Sequence, residues 1–574
     1  MKKALTILLA LSMLVLAACT STSLAPPEDP SPSSPILSPS TTPSDAPPAS
    51  AIEGAQFVNG YWRFDETKEI TVQIFERSSG TGRTDAHDNM YTDWAKDKFL
   101  NDCNVRIKEF VPMPRFPEDE IIPTWLAANT APDVCVTYNH AAIQQYADMD
   151  AVWDLQPYID GHKDQLTYMW DVLGEYLLHY SQDPDTKQIF WIEGRRTVTQ
   201  RMNTFARADW LAKLNLPEPT TRQEFENMLV AFRDNAELLL GADAAQMVPF
   251  VLSTDVGWRT ENLAVSFFPP EMSARDEYIL GYDDRHVCYP NYKESVRLLN
   301  KWYNDKLIWQ DFGLYGSGSD QTPEEDMLRA GFVGSFIHNW DYPFRGSGSG
   351  INVTIMANNG PDAGFIAIDP FKNDAGVTKK FNMEIVDRKI FFPKTNKEPL
   401  ASIVYVDWLC HPDVIVYLQL GTEGKNYQID DEGNFSLITI NNDTPDLLPY
   451  IINSPTGLDQ LIVLNGYWPG DPLTALAGAG GAYTGISPDI VKDAMQKGAA
   501  NGYYYPSPGL GAVTAESGMG TLLKDKRDSF LTNAIATSVA NFDKVYDDGY
   551  EEWMLAGVRA IIEERTQKWD AANG

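Results

Sequence analysis

From Glu69 onward the chain alternates two hydrophobic periods, and this alternation limits the fold more than any other feature of the sequence. In EITVQIF, residues 69–75, the apolar Ile70, Val72 and Ile74 alternate with Thr71 and Gln73, the two-residue period of a strand. A helical pattern follows over about 90–99, then a strand in VRIKEF, a helix through Trp125 and Leu126, and a strand in PDVCVTY. Strands separated by helices in this way build βαβ units and a parallel sheet rather than hairpins. The expected class is therefore α/β. Such a sheet presents ligands to the loops beyond the carboxyl ends of its strands.

Helical signals continue further along. In NLPEPTTRQEFENMLVAF, Thr221 and Glu224 predict a capping box, and Phe225, Met228, Leu229 and Phe232 fall at i, i+3, i+4 and i+7. NYKESVRLLNKWYND reads as a helix, and PEEDMLRAGFVGSFIHNW as helix, glycine turn, strand and exposed loop. The closing segment from Phe542 is helical with a break at Gly549. Glycine clusters at 316–318, 346–350 and 478–481 lack a following Lys-Ser/Thr, so they are loops and not phosphate cradles.

The amino terminus is of another kind. Lys2 and Lys3 precede an apolar run too short to span a bilayer, which predicts a secretory signal over 1–18. The run ends in Leu16-Ala17-Ala18-Cys19, which resembles the bacterial lipobox and implies acylation of Cys19. Residues 19–51 are mostly Ser, Thr, Pro and Ala, a composition that buries too little apolar surface to fold and predicts a disordered tether. Roughly 520 residues remain, enough for two or more domains.

A net charge of −33 repels nucleic acid and anionic headgroups, so no nucleic-acid partner is expected and the membrane is met through the lipid anchor alone. Cys103, Cys135, Cys288 and Cys410 are widely spaced, which favours buried free thiols, with a Cys103–Cys135 bridge as the alternative. No CxxC, HExxH or Cys/His cluster has zinc-ligand spacing, and no acidic stretch has the pattern of a calcium loop, so neither metal nor cofactor is expected.

Taken in order, FARADWLAKLNLPEPTTRQEFENMLVAFRDNA, GFVGSFIHNW, GTEGKNYQIDDEGN and FDKVYDDGYEEWMLAGV resemble the lipoprotein subgroup of the family 1 extracellular solute-binding proteins, the ABC-importer receptors of Gram-positive bacteria. The resemblance runs from about Glu69 to the carboxyl terminus. It implies a two-lobe, type II periplasmic-binding-protein-like fold with discontinuous lobes and a multi-strand hinge. Lobe 1 would comprise 66–200 and 366–415, and lobe 2 would comprise 201–365 and 416–574. IFWIEGRRTVTQRMNTFARADWL is then the first crossing and GFIAIDPF the second.

The loop rule nominates ligand contacts in such a cleft: Arg77 and Asn89 after the first strand, Tyr138 and Asn139 after the third, and Asn339, Trp340 and Asp341 after VGSFIH. The strand-then-tryptophan arrangement at Trp340 is similar to maltodextrin-binding proteins. Trp258 in STDVGWRT and Trp468 in NGYWPGDP are further candidate platforms, although with 15 tryptophans most must be structural. Sugars present C–H faces that pack on aromatic planes and hydroxyls that want planar polar partners. The expected function is capture of an oligosaccharide and delivery to two permease subunits with a cytoplasmic ATPase, by a monomer on the extracellular face of the membrane. The competing readings are a surface hydrolase or lyase, for which no GxSxG elbow appears, and an adhesion or signalling receptor on the same fold.

Overall fold

The computed structural model describes residues 52–573 apart from 77–86, 115–117, 184–185, 316–322, 347–349, 432, 434, 441–443, 451–459, 504–509 and 511–512. The signal segment, Cys19, the tether and Arg77 lie outside the described residues. In chain order, the strands that matter for the site are β1 (Lys68–Glu76), β2 (Val105–Pro114), β3 (Cys135–Thr137), β4 (Ile192–Arg196), β5 (Met202–Arg207), β6 (Val248–Phe250), β7 (Val333–Asn339), β8 (Phe365–Ile368), β9 (Val386–Phe391) and β10 (Leu464–Asn465).

The first sheet grows from the expected βαβ units. β1 and β2 pair in parallel from Lys68–Val105 to Glu76–Pro114, with a register shift after Ile70. β3 joins the other edge of β1 through a parallel bridge, Val72 to Val134. There the Gln73 side chain continues the ladder: its Nε2 donates to Val136 O at 2.9 Å and its Oε1 accepts from Val136 N at 3.0 Å. A buried amide thus does the work of a peptide group where the backbones diverge. β9 runs antiparallel to both β3 and β4, and β10 pairs in parallel with β4. The order is β2-β1-β3-β9-β4-β10, with β9 the antiparallel member. Its core includes the helix Pro399–Leu409, apolar on nearly every face and buried along most of its length, as a helix between other elements must be.

The second sheet has the order β8-β5-β7-β6. β5 is antiparallel to both neighbours, and β6 is parallel to β7. On it packs the helix Arg222–Asp234, whose buried residues are the predicted Phe225, Met228, Leu229 and Phe232. Thr221 caps it by accepting from Glu224 N at 3.1 Å. The Glu224 carboxylate reaches Thr220 N rather than the cap's own N–H, so the expected box is shifted by one residue. The carboxyl-terminal helices Gly520–Ala536 and Phe542–Trp553 complete this core.

The chain passes from the first core at Ile192 to the second at Met202, inside the segment expected for the first crossing, but the second crossing is elsewhere. GFIAIDPF does not cross: β8 pairs with β5, from Phe365–Arg207 to Ile368–Thr204, and Phe365, Ala367 and Ile368 are buried on the second side. The chain returns later, since Phe381 belongs to the second core and Val386 to the first. Val414, Ile415, Leu418, residues 461–464 and Trp468 also pack in the first core, so the expected boundaries at 365/366 and 415/416 do not coincide with the packing. A third passage lies between Trp468 and Ile486. Cys103, Cys135 and Cys410 are buried free thiols and Cys288 is a half-buried one; the Cys103–Cys135 bridge is not formed.

Candidate functional site

The crossing segments lie side by side. Arg196 N donates to Ile385 O and Met383 N to Thr199 O, both at 2.7 Å, and Gln200 bridges Asn382. Residues 463–465, at β10 ahead of the third passage, join them through Arg195 N to Val463 O at 2.8 Å and Thr197 N to Asn465 O at 2.9 Å. This is a hinge of hydrogen-bonded strands.

Strand direction decides what surrounds it. β4 runs into the first crossing, and β1 and β3 are parallel to β4, so the segments after β1 and after β3 leave the first sheet at the hinge end. β5 starts from the hinge, and the Met202–Asn339 pair places the end of β7 beside it, with Trp340 N donating to Arg201 O at 3.0 Å. β6 is parallel to β7, so residues 251–258 leave at the same end. The carboxyl ends of β1, β3, β6 and β7 thus all lie at the hinge, which is where an interlobe cleft would open.

His140, after β3, and Asp284, bonded to Arg201 ahead of β5, lie on the two sides of the hinge. His140 is solvent-exposed, yet crowding by protein, aided by Lys389, pushes its imidazole down to about 4. The Asp284 side chain is 59% exposed, and Arg285 and Arg201 hold its carboxyl well below the usual range against the desolvation that would raise it.

The nominated residues are mostly engaged. Asn89 Oδ1 accepts from Tyr91 N and Thr92 N in a capping box for the helix Met90–Cys103. Asn139 Oδ1 accepts from Ala142 N at 3.0 Å and caps His140–Asp148. Tyr138 stacks on Phe75 at 5.3 Å, and its hydroxyl accepts from Arg388 Nε at 3.1 Å. Asp341 accepts from Arg345 Nε at 2.9 Å and from the Tyr483 hydroxyl at 2.7 Å. Trp340 is not an open platform: it is 6% exposed and stands edge-on to Tyr483 at 6.1 Å. Asn339 Oδ1 is buried without a hydrogen-bond partner. The Trp258 ring carries the Arg201 and Arg285 guanidinium groups, each 4.6 Å from its centroid. Trp468 is buried beside Arg195. Apart from Asn339, the described side chains chosen from these loops serve caps, ion pairs, aromatic contacts and core.

Other residues occupy the cleft end. Trp309 N donates to Phe250 O at 3.0 Å, which sets Trp309 just beyond β6. Its half-buried ring lies parallel to Tyr315 at 5.7 Å, with 9° between planes. Arg201, Glu261, Asp284, Arg285 and Asp255 form an ion-pair network, with Arg201 Nε 2.8 Å from Glu261 Oε2 and Arg285 paired with Asp255 at 2.9 Å. Burial pushes the Glu261 carboxyl up to about 7 in spite of Arg201. On the first side, Glu193 accepts from Trp191 Nε1 at 2.8 Å, and Lys389 stands 3.9 Å from its other oxygen. The signal for these groups is charge inside a strand pattern, as in WIEGRR. Among the described residues no three His, Cys, Asp or Glu side chains converge on a metal position.

No family model matches the sequence, and no curated protein does. Solved structures do match. An extracellular solute-binding protein from Bifidobacterium longum subsp. infantis shares 16% identity, covering 88% of this chain and 98% of its own, with a TM-score of 0.58. The alginate-binding protein AlgQ2, in a structure without calcium ion, shares 18% identity over 88% and 98% of the two chains, with a TM-score of 0.57. The S. pneumoniae ABC-transporter substrate-binding protein FusA in complex with kestose shares 14% over 88% and 99%, with a TM-score of 0.55.

Proposed function

We infer that this chain, built on the two-lobe α/β fold of the ABC-transporter solute-binding proteins, captures an oligosaccharide in its interlobe cleft and delivers it to a permease. The observation that carries the reading is the hinge. Hydrogen-bonded crossing strands join two sheets whose loop-bearing ends face each other, the geometry in which closure brings both lobes onto one ligand. The half-buried Trp309–Tyr315 pair supplies an aromatic face, and the polar groups around the hinge supply hydrogen-bonding partners. The output is binding and release, not catalysis.

The remaining assignments follow from the sequence. The signal at 1–18 exports the chain, acylated Cys19 anchors it to the outer face of the cell membrane, and 19–51 hold a monomeric body clear of the bilayer. Its partners are two permease subunits and a cytoplasmic ATPase. Radiolabelled palmitate should enter the wild-type chain and be lost in Cys19→Ser.

A thermal-shift screen of the exported chain against neutral, amino and acidic oligosaccharides, short peptides and metal ions tests the function. A specific binder at 100 times its Kd adds about 2.7 kcal/mol of stability. The expected result is a shift with one saccharide class, with that saccharide recovered intact. Cleavage of it would favour the hydrolase, and a shift from peptides alone would overturn the ligand class.

A further inference from the structure

The ion-pair network ahead of β5 opens to solvent at one member. The side chains of Glu261 and Arg201 are 3% and 7% exposed and those of Arg285 and Asp255 14% each, whereas Asp284 is 59% exposed. Every arginine is shared between carboxylates. Arg201 serves Glu261 and Asp284, Arg285 serves Asp255 and Asp284, and Arg527 serves Asp255, Asp283 and Asp528. Asp284 is therefore the point at which the network can meet a ligand.

Buried groups hold this carboxylate in place. Arg285 Nη1 donates to its Oδ1 at 2.5 Å, and Arg201 Nη2 donates to its Oδ2 at 3.2 Å and to the Asp284 carbonyl at 2.5 Å. Both guanidinium groups lie against the Trp258 ring, which limits their own movement. Two residues on, His286 stacks on Phe381 at 3.8 Å with 5° between planes, so the loop also rests on the chain that returns through the hinge. A polar group fixed in this way by its supporting shell is preorganised for recognition.

An ionised carboxylate only accepts, and its two oxygens offer about four lone-pair positions. The arginines occupy one on each oxygen of Asp284, which leaves one on each for outside donors. Two open acceptors side by side on a rigid group match two adjacent hydroxyls of a sugar ring, each of which donates one O–H. Such charge-assisted paired bonds are among the stronger and more directional ones in proteins.

The loop beyond β6 places further groups beside it. Within residues 253–258, Asp255 bonds Arg285, and the preceding Thr254 donates from Oγ1 to Tyr315 O at 3.2 Å. One short stretch therefore touches both the support of Asp284 and the Trp309–Tyr315 pair. Ser253 Oγ, in the same stretch, is 5% exposed and has no hydrogen-bond partner. A buried hydroxyl in that state is uncommon and marks a place completed from outside the chain.

We propose that Asp284 is a specificity-determining residue of the second lobe, taking both hydroxyls of a vicinal diol on a sugar ring that lies along residues 253–258 with its C–H face toward Trp309 and Tyr315. This rests on the receptor reading and narrows it to saccharides whose rings keep adjacent free hydroxyls. An acetamido group at one of the two positions replaces a small donor with a bulky substituent and breaks the match.

Isothermal titration of the full-length chain with maltotriose, cellotriose, kestose and triacetylchitotriose, repeated for Asp284→Asn and Asp284→Glu, tests the proposal. The inner ring of each of the first three has an adjacent hydroxyl pair, and that of triacetylchitotriose has none. The tightest ligand should be one of the first three, and each substitution should weaken it about fivefold or more, since Asn loses one acceptor and Glu displaces both. Glu keeps the charge between Arg201 and Arg285, so Asp284→Glu should melt like wild type even if Asp284→Asn melts lower. Affinity for triacetylchitotriose should change less, a narrowing of preference that a purely structural residue would not produce. Tightest binding of triacetylchitotriose, or a smaller loss in either variant, would overturn the role of Asp284 and leave the receptor standing. Binding of none of the four saccharides would overturn both.

Discussion

At the scale of single residues, position in a loop and use of the side chain separate. Asn89 and Asn139 lie in the loops from which a ligand would be held, yet each side chain satisfies amide groups at the start of a helix. Asn89→Ala should therefore cost about 1–2 kcal/mol in a urea titration and leave ligand affinity unchanged. A fall in affinity with no fall in stability would return Asn89 to the ligand. Asp407 shows another residue-level constraint. It is buried in the apolar helix Pro399–Leu409, accepts from Met169 N at 2.8 Å, and desolvation raises its carboxyl from the ordinary value to about 7. The folded state thus holds this proton more tightly than the unfolded chain does. The stability from the protonated group is fully present below the unfolded value near 4 and is lost as pH rises through about 7. Asp407→Asn keeps the acceptor and removes the titration. It should gain stability over wild type at pH 8 by an order of a few kcal/mol, with the difference shrinking toward pH 4. An equal difference at both pH values would mean that Asp407 does not titrate in this range.

At the scale of elements, what the sequence made legible was what local periodicity decides. The strand-helix alternation from Glu69 to Thr137 and the amphipathic helix at Arg222–Asp234 emerge as expected, because each pattern reports its own burial. The later crossings were not legible. β8 is four residues long and apolar throughout, and nothing local distinguishes an edge strand of the second sheet from a passage to the first. The same limit hid the site. The end of VGSFIHNW lies beside the hinge, but whether Trp340 would face solvent or pack against Tyr483 depends on a residue more than a hundred positions away. Packing of helix on sheet is legible only in the structure and is testable there. A Cβ at Gly334 on β7 would stand 2.5 Å from Phe232 of the helix Arg222–Asp234 and 3.0 Å from Pro249 O. Gly334→Ala should destabilise the second core by about 1–3 kcal/mol, the usual cost of overpacking. A neutral result in thermal melts would show that the helix shifts away freely.

At the scale of the whole molecule, the cores on the two sides of the hinge also touch away from it. Ser517 Oγ, ahead of the carboxyl-terminal helices, donates to Gln145 Oε1 on the helix His140–Asp148 at 3.2 Å, and both side chains are exposed. That helix begins in the cleft loop containing His140, so the contact spans from one wall to the other side of the molecule. One exposed hydrogen bond adds little by itself, and it does not hold the lobes shut. Closure must come from a ligand that binds the closed form better than the open one. Fixing the contact covalently should then change kinetics more than structure. In a Gln145→Cys/Ser517→Cys variant joined by a short bis-maleimide after loading with saccharide, release should slow by orders of magnitude relative to the uncoupled variant, because the lobes can no longer part. Coupling before loading should block uptake by a similar factor. Burial protects Cys103, Cys135 and Cys410 from the reagent, and the half-buried Cys288 is replaced by alanine in every variant. Release at the uncoupled rate from the cross-linked protein would mean that ligand leaves without separation of these surfaces. The hinge strands would then be a rigid connection and not the axis of a closing motion.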